Sequence, residues 1–229
     1  MENIIFCSSP FQVLVAKEVV QTVSEDFIGI YLKMSNDTRQ TFYAERMAEF
    51  CKEVLVLEGK TVFNDIQEAL KDRAISNLYL ASLDNPVALS VFNPSTMNLY
   101  TFDDGSTSVV PLNLYTQNLE RGIPYTNFTL REVMSLSNRH YTVFEDCILF
   151  PKEKQVFLKL HLEPSHFHRA KNGKKISVFL GQFLGSLLYQ EDLEITQKLT
   201  AKILDEQKID YYYPHPRVPL NPYQDKLKE

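Results

Sequence analysis

The sequence predicts an α/β protein built on parallel sheet covered by crossover helices. Short apolar runs rich in Ile, Val, Leu and Tyr alternate with longer segments of helical period, which is the pattern of βαβ units. Five such strand-like runs follow one another before residue 103, enough for a complete Rossmann-like unit. The composition agrees: twelve Tyr and fifteen Phe against only seven Gly describe a chain rich in sheet-forming aromatics and poor in flexible linkers.

Residues 3–7 read as the first strand. The turn Ser8-Ser9-Pro10 follows, then a helix over 11–23 that Ser9 can cap with Pro10 in its first turn. Residues 27–32 read as strand two. Residues 38–51 place Phe42, Met47, Ala48 and Cys51 between charges, as an amphipathic helix does, and Val54-Leu55-Val56-Leu57 forms strand three. Residues 63–74 are expected to be helical, 77–81 a strand, 86–92 a short helix and Leu99-Tyr100-Thr101-Phe102 a strand that runs into Asp103-Asp104-Gly105.

The pattern then weakens. A helix is expected around 128–136 and a short strand-like run at 141–143. Residues 145–162 carry no clear period and read as the connection between domains. A second α/β unit opens with Ile176-Ser177-Val178-Phe179-Leu180, continues through Gly181-Gln182 and a helix over 192–207, and reaches a strand at 209–213 before Pro214-His215-Pro216-Arg217. Two strands and one helix cannot cover both faces of a parallel sheet. The expectation is therefore an N-terminal Rossmann-like domain over 1–155 and a partial C-terminal one over 156–229.

Bulk properties exclude several classes. At 44% hydrophobic and 23% charged, 229 residues can bury a substantial core. A net charge of -5 argues against a protein that lives by holding nucleic-acid phosphates. Cys7, Cys51 and Cys147 are odd in number and lack metal-ligand spacing, so reduced thiols are expected. The opening residues show no basic and small-residue leader pattern, and no apolar run reaches the ~18 residues that cross a bilayer. The expectation is a soluble cytoplasmic protein. Neither a phosphate-binding Gly-Lys-Ser/Thr loop nor a dinucleotide glycine fingerprint is present, so ATPase and NAD chemistry find no support.

Ligands of open α/β sheets bind at the carboxyl ends of strands, which directs attention to the post-strand loops. Ser8, Ser9 and Gln12 follow the first strand. Asp104 in Asp103-Asp104-Gly105 could deprotonate a sugar hydroxyl, although Asp-Gly is also a common turn pair. Gly181 and Gln182 allow close approach of a ligand to the backbone, and Asp192 beyond them is a second candidate base. His215 is framed by two prolines, and Arg217 can grip a phosphate with its planar fork; an exposed proline-rich loop is the plainer alternative. His161, His166 and His168 with Glu163 have no fixed ligand geometry, and no metal is expected.

Four of these segments together carry a resemblance: Phe6-Cys7-Ser8-Ser9-Pro10-Phe11-Gln12, Phe102-Asp103-Asp104-Gly105, Phe179-Leu180-Gly181-Gln182 and Tyr213-Pro214-His215-Pro216-Arg217. In order and spacing the chain resembles the glycosyltransferase family 52 sialyltransferases that decorate bacterial lipooligosaccharide. The resemblance implies a GT-B-like fold of two Rossmann-type domains, the second incomplete here. It implies CMP-sialic acid as donor, held mainly by the C-terminal domain, and a galactose-terminated glycan as acceptor. Inversion without a required metal or other cofactor follows from it too, as does work at the inner face of the cytoplasmic membrane and a homodimer that exchanges C-terminal elements. By the same resemblance His215 assists departure of the CMP phosphate beside Pro216 and Arg217, while Asp104 or Asp192 serves as base. Gly181, Gln182, Ser8, Ser9 and Gln12 are the further donor-binding candidates. An inactive or glycan-binding relative, or another GT-B-type nucleotide-sugar transferase, is the alternative expectation.

Overall fold

A computed structural model describes residues 2–34, 38–111, 113–161, 177–180, 198, 200–207 and 209–213. The chain forms two compact units, Met1–Leu162 and Glu163–Glu229.

The first unit is a seven-stranded sheet in which every neighbouring pair is parallel. Its strands are β1 (Glu2–Cys7), β2 (Phe27–Lys33), β3 (Glu53–Glu58), β4 (Ile75–Leu80), β5 (Asn98–Phe102), β6 (Ser137–Thr142) and β7 (Gln155–Phe157). The helices are α1 (Pro10–Val23), α2 (Thr38–Met47), α3 (Val62–Leu70), α4 (Pro86–Ser90), α5 (Leu114–Gln117) and α6 (Leu130–Leu136). Strand order is β3-β2-β1-β4-β5-β6-β7, so the chain winds outward from β1 in one direction and then, from β4, in the other. The reversal between β1 and β4 opens a crevice at the carboxyl ends of those strands, which is where doubly wound sheets place their ligands.

Strand side chains alternate between faces, and the two halves of the core follow that alternation. Ile4, Phe6, Ile28, Ile30, Leu78 and Leu80 pack on one face with Ile66 of α3, Ala88 of α4 and Val133 of α6. Ile5, Cys7, Phe27, Tyr31 and Tyr79 pack on the other with Val15, Ala16 and Val19 of α1 and Met47 of α2. Gly29 lets α2 approach β2: a Cβ there would meet Met47 Cε at 2.8 Å and Cys51 Sγ at 3.0 Å. Ser9 caps α1 as its sequence predicts, its hydroxyl accepting the Gln12 N–H at 3.3 Å with Pro10 in the first turn.

Two expectations are corrected. Residues 145–162, expected as the connection between domains, contribute β7 to the first unit's sheet, and the strand-like run expected at 141–143 is the end of a longer strand, β6. A three-residue strand such as β7 is too short to display a period, and β6 carries Asn138, Arg139 and His140 in its middle. The second helix is also shorter than its pattern: α2 ends at Met47, and a turn brings Cys51 back under Gly29.

In the second unit, β8 (Val178–Leu180) pairs in parallel with β9 (Tyr211–Tyr213), and residues 200–206 are helical with Leu204 buried. Asp210 ties the strands' starts together by accepting the Ser177 N–H at 2.8 Å. No described helix is long and apolar enough to cross a membrane.

Candidate active site

The post-strand loops of β1, β4 and β5 meet around one carboxylate. Gln12, in the first turn of α1 and buried, turns its amide back toward the strand ends. Its Oε1 accepts the Ser8 N–H at 2.6 Å and the Ser8 hydroxyl at 3.2 Å. Its Nε2 donates to Ser82 Oγ at 3.1 Å and to Asp104 Oδ1. Ser82, just past β4, donates to Asp104 Oδ2 at 2.8 Å, and the Tyr115 hydroxyl of α5 donates to the same oxygen at 3.2 Å. Asp104 is half-buried at the crevice with three neutral donors and, among the described residues, no cation bonded to it.

Burial pushes the Asp104 carboxyl above its usual range; the bonds from Gln12, Ser82 and Tyr115 hold it back in part, and the Asp84 charge adds to the rise. Tyr115 is raised as well, first by burial and then by the Asp104 charge. A carboxylate fixed by neutral hydrogen bonds, partly desolvated and facing a crevice, is suited to accept a proton from a bound hydroxyl group.

The neighbouring carboxylate does different work. Asp103 is fully buried and accepts the Val143 N–H at 2.7 Å, the Ser108 hydroxyl at 2.5 Å and His140 Nε2 at 3.2 Å. The His140 ring lies against Phe150, with centroids 4.4 Å apart, and its Nδ1 meets Thr101 Oγ1 at 3.0 Å. Burial alone would lower the His140 pKa, but bonds to Asp103 and Cys147 outweigh it and the net shift is upward. Asp103 thus ties β5 to β6 and to the loop after Gly105, whose φ of +121° only glycine adopts readily. Of the adjacent pair, Asp103 holds the loop and Asp104 faces the crevice.

A cavity of about 530 Å³ opens beside Asp104, with Ser8 and Ser82 in its wall together with Leu57, Val62, Asp84 and Val87. Lys33 and Glu58 also border it and pair with each other at 3.0 Å. A smaller cavity of about 300 Å³ lies by Arg73, Ile75 and Asn93, near the amino ends of the strands and away from the site.

Among the sequence candidates, the structure brings Ser8, Gln12 and Asp104 together and places Ser9 at the helix cap beside them. Gly181, Gln182, Asp192, His215, Pro216 and Arg217 lie outside the described residues. So do His166 and His168. His161 instead binds the buried Glu18 of α1, through its N–H and Nδ1, both at 2.9 Å. Ser82 and Tyr115 are the residues that sequence reasoning misses. Ser82 had a usable signal, since it follows a strand in a polar loop; Tyr115 lies in the stretch without periodicity and had none.

The comparisons with known proteins bear on the family of the chain. The family model described as glycosyltransferase family 52 matches residues 24–221. A CMP-N-acetylneuraminate:beta-galactoside alpha-2,3-sialyltransferase from Pasteurella multocida (strain Pm70) is 26% identical, over 94% of this chain and 73% of its own length. An N-acetyllactosaminide alpha-2,3-sialyltransferase from Haemophilus influenzae is 27% identical, over 93% of this chain and 73% of its own length. With the family match spanning both units, the chain belongs to glycosyltransferase family 52.

Proposed function

We propose that this chain transfers sialic acid from CMP-sialic acid to a galactose hydroxyl of a bacterial surface glycan, with Asp104 as general base. The observation that carries the assignment of the base is the hydrogen-bonded carboxylate at the β1/β4 crevice, bounded by the neutral groups of Gln12, Ser82 and Tyr115. Such a surface suits a polyhydroxylated sugar and repels a phosphate. The first unit is therefore the acceptor side of a GT-B-like pair of domains, and the nucleotide belongs with the second unit. The names of the two relatives make a β-galactoside the expected acceptor and an α-2,3 bond the expected product.

The reaction is written as an inverting displacement. As the bond between the sialyl carbon and the CMP phosphate lengthens, positive charge develops on the sugar and negative charge on the departing phosphate. Asp104 takes the proton of the attacking galactose hydroxyl, which makes that oxygen nucleophilic as it reaches the sialyl carbon. His215 donates to the phosphate oxygen and Arg217 grips the phosphate through its planar fork, so charge is balanced without a metal. Gly181, Gln182 and Pro216 shape the donor side. Asp192 remains the competing base, and Asp104→Asn against Asp192→Asn decides between them. A lipid-linked acceptor would bring the chain to the inner face of the cytoplasmic membrane.

The test is incubation of purified protein with CMP-sialic acid and lactose, following CMP release and sialylated product separately. Product formation is expected, and His215→Ala is expected to slow transfer far more than it weakens donor binding. Absence of both CMP release and product from well-folded protein would overturn the assignment.

A further inference from the structure

Tyr125 stands in the turn Ile123-Pro124-Tyr125-Thr126, closed by the Thr126 N–H donating to the Ile123 carbonyl at 3.2 Å. Pro124 fills the second place, and Tyr125 has a φ of +62° in the third. That is the place in a type II turn that glycine or asparagine normally takes, because a side chain there strains the backbone. An aromatic residue in this conformation is uncommon, and burial does not compensate it: Tyr125 is 83% exposed. Its ring is nonetheless held in place, with its centroid 5.1 Å from that of Phe63 at 60°.

The position of this ring gives it meaning. Phe63 directly follows Val62, the first residue of α3 and part of the wall of the 530 Å³ cavity. The loop that carries Tyr125 is also tied to the cavity by Arg121, which pairs at 2.5 Å with Asp84 in the same wall. Ser82, in the same wall, is hydrogen-bonded to Asp104. One surface therefore leads from the Asp104 carboxylate, through a cavity of the size that holds small ligands, to an exposed aromatic face. The cations and anions at its edge are matched, Lys33 with Glu58 and Arg121 with Asp84, which favours a neutral ligand over a phosphate. The wall combines apolar Leu57, Val62 and Val87 with polar Ser8, Ser82 and Asn85, as suits a ring that is apolar on its faces and hydroxylated at its rim.

We propose that this cavity and the Tyr125 ring form the subsite for the sugar that carries the acceptor galactose, so that Tyr125 sets preference for a disaccharide over a simple galactoside. The proposal rests on the reading of Asp104 as the point where galactose is deprotonated. Galactose at Asp104 directs its anomeric substituent along the cavity, and the next ring stacks on Tyr125.

Tyr125→Gly is the decisive variant, because glycine suits the turn and removes the ring; its thermal midpoint is expected to equal or exceed that of the parent. Saturation-transfer NMR with lactose and no donor is expected to show saturation of the glucose protons in the parent protein and in Tyr125→Phe, and its loss in Tyr125→Gly. The ratio of kcat/KM for lactose to that for methyl β-galactoside is expected to fall about five- to tenfold in Tyr125→Gly, equivalent to about 1 kcal/mol or slightly more. An unchanged ratio, equal losses with both acceptors, or persisting glucose saturation in Tyr125→Gly would overturn the proposal. If the parent transfers no sialic acid, the transfer reading fails, and glucose saturation still decides the subsite: its dependence on the Tyr125 ring supports it and its absence overturns it.

Discussion

Replacing Gln12 with Met keeps the length of the side chain and removes its amide. The Ser8 N–H then loses the acceptor that lies 2.6 Å away, which costs about 1–3 kcal/mol for a donor turned away from solvent. Asp104 loses one of its three hydrogen bonds, worth about 1.5–3 kcal/mol for a charged acceptor, less here because crevice water reaches the half-buried carboxylate. Together the loss is roughly 2–4 kcal/mol. At about 2–4 °C per kcal/mol for a chain of this size, the thermal midpoint falls by roughly 4–16 °C. The same substitution removes the first of the bonds that hold down the Asp104 pKa, while the burial that raises it stays. Only the ionised carboxylate can take a proton, so the acid limb of the kcat/KM profile moves to higher pH and the deficit is greater at pH 6 than at pH 8. Differential scanning fluorimetry and a pH series of CMP-release rates measure both effects. A midpoint within about 1 °C of the parent, with an unmoved acid limb, would refute the role given to Gln12.

Asp104→Asn is expected to lower transfer by about 10²–10⁴-fold, the usual contribution of a positioned base. Because burial raises the folded pKa of Asp104, its ionisation costs stability once the pH has risen through that value. The urea midpoint of Asp104→Asn relative to the parent should therefore improve from pH 4 to pH 8, and a constant difference would contradict this. His140 titrates in the opposite sense: its folded pKa lies above the ordinary 6.5, so its contribution is full below that value and is lost as pH rises through the folded one. The stability gap between the parent and His140→Gln should shrink from pH 6 to pH 9, which urea titrations at the two pH values would show.

Apolar runs were enough to read β1 to β5 and their helices: β1 and β2 are buried on both faces and nearly continuous in apolar residues, and β3, although its Val56 is exposed, keeps the run Val54-Leu55-Val56-Leu57. The β6–β7 side of the sheet was harder to read. β6 buries Ser137, His140 and Thr142, polar residues that belong to the Asp103 network or lie beside it, so its sequence does not look like a strand. The site was legible where residues adjoin in sequence, as in Ser8-Ser9-Pro10-Phe11-Gln12 and Asp103-Asp104-Gly105. No local pattern could show that Gln12, Ser82 and Tyr115 converge on Asp104 while Asp103 points into the core. Which carboxylate faces the crevice follows from the pleat at the end of β5, and only the fold fixes that.

The hydrogen bonds around Asp104 join residues 92, 22 and 11 positions away, and Gln12 and Ser82 are separated by 70. Contacts of such separation form only after the intervening chain has been brought together, so their entropic cost falls late in folding. A nascent chain that has not yet delivered Tyr115 therefore lacks one of the three donors that fix Asp104. On the role proposed for Asp104, completing the β1/β4 crevice would be a condition for chemistry and not for stability alone.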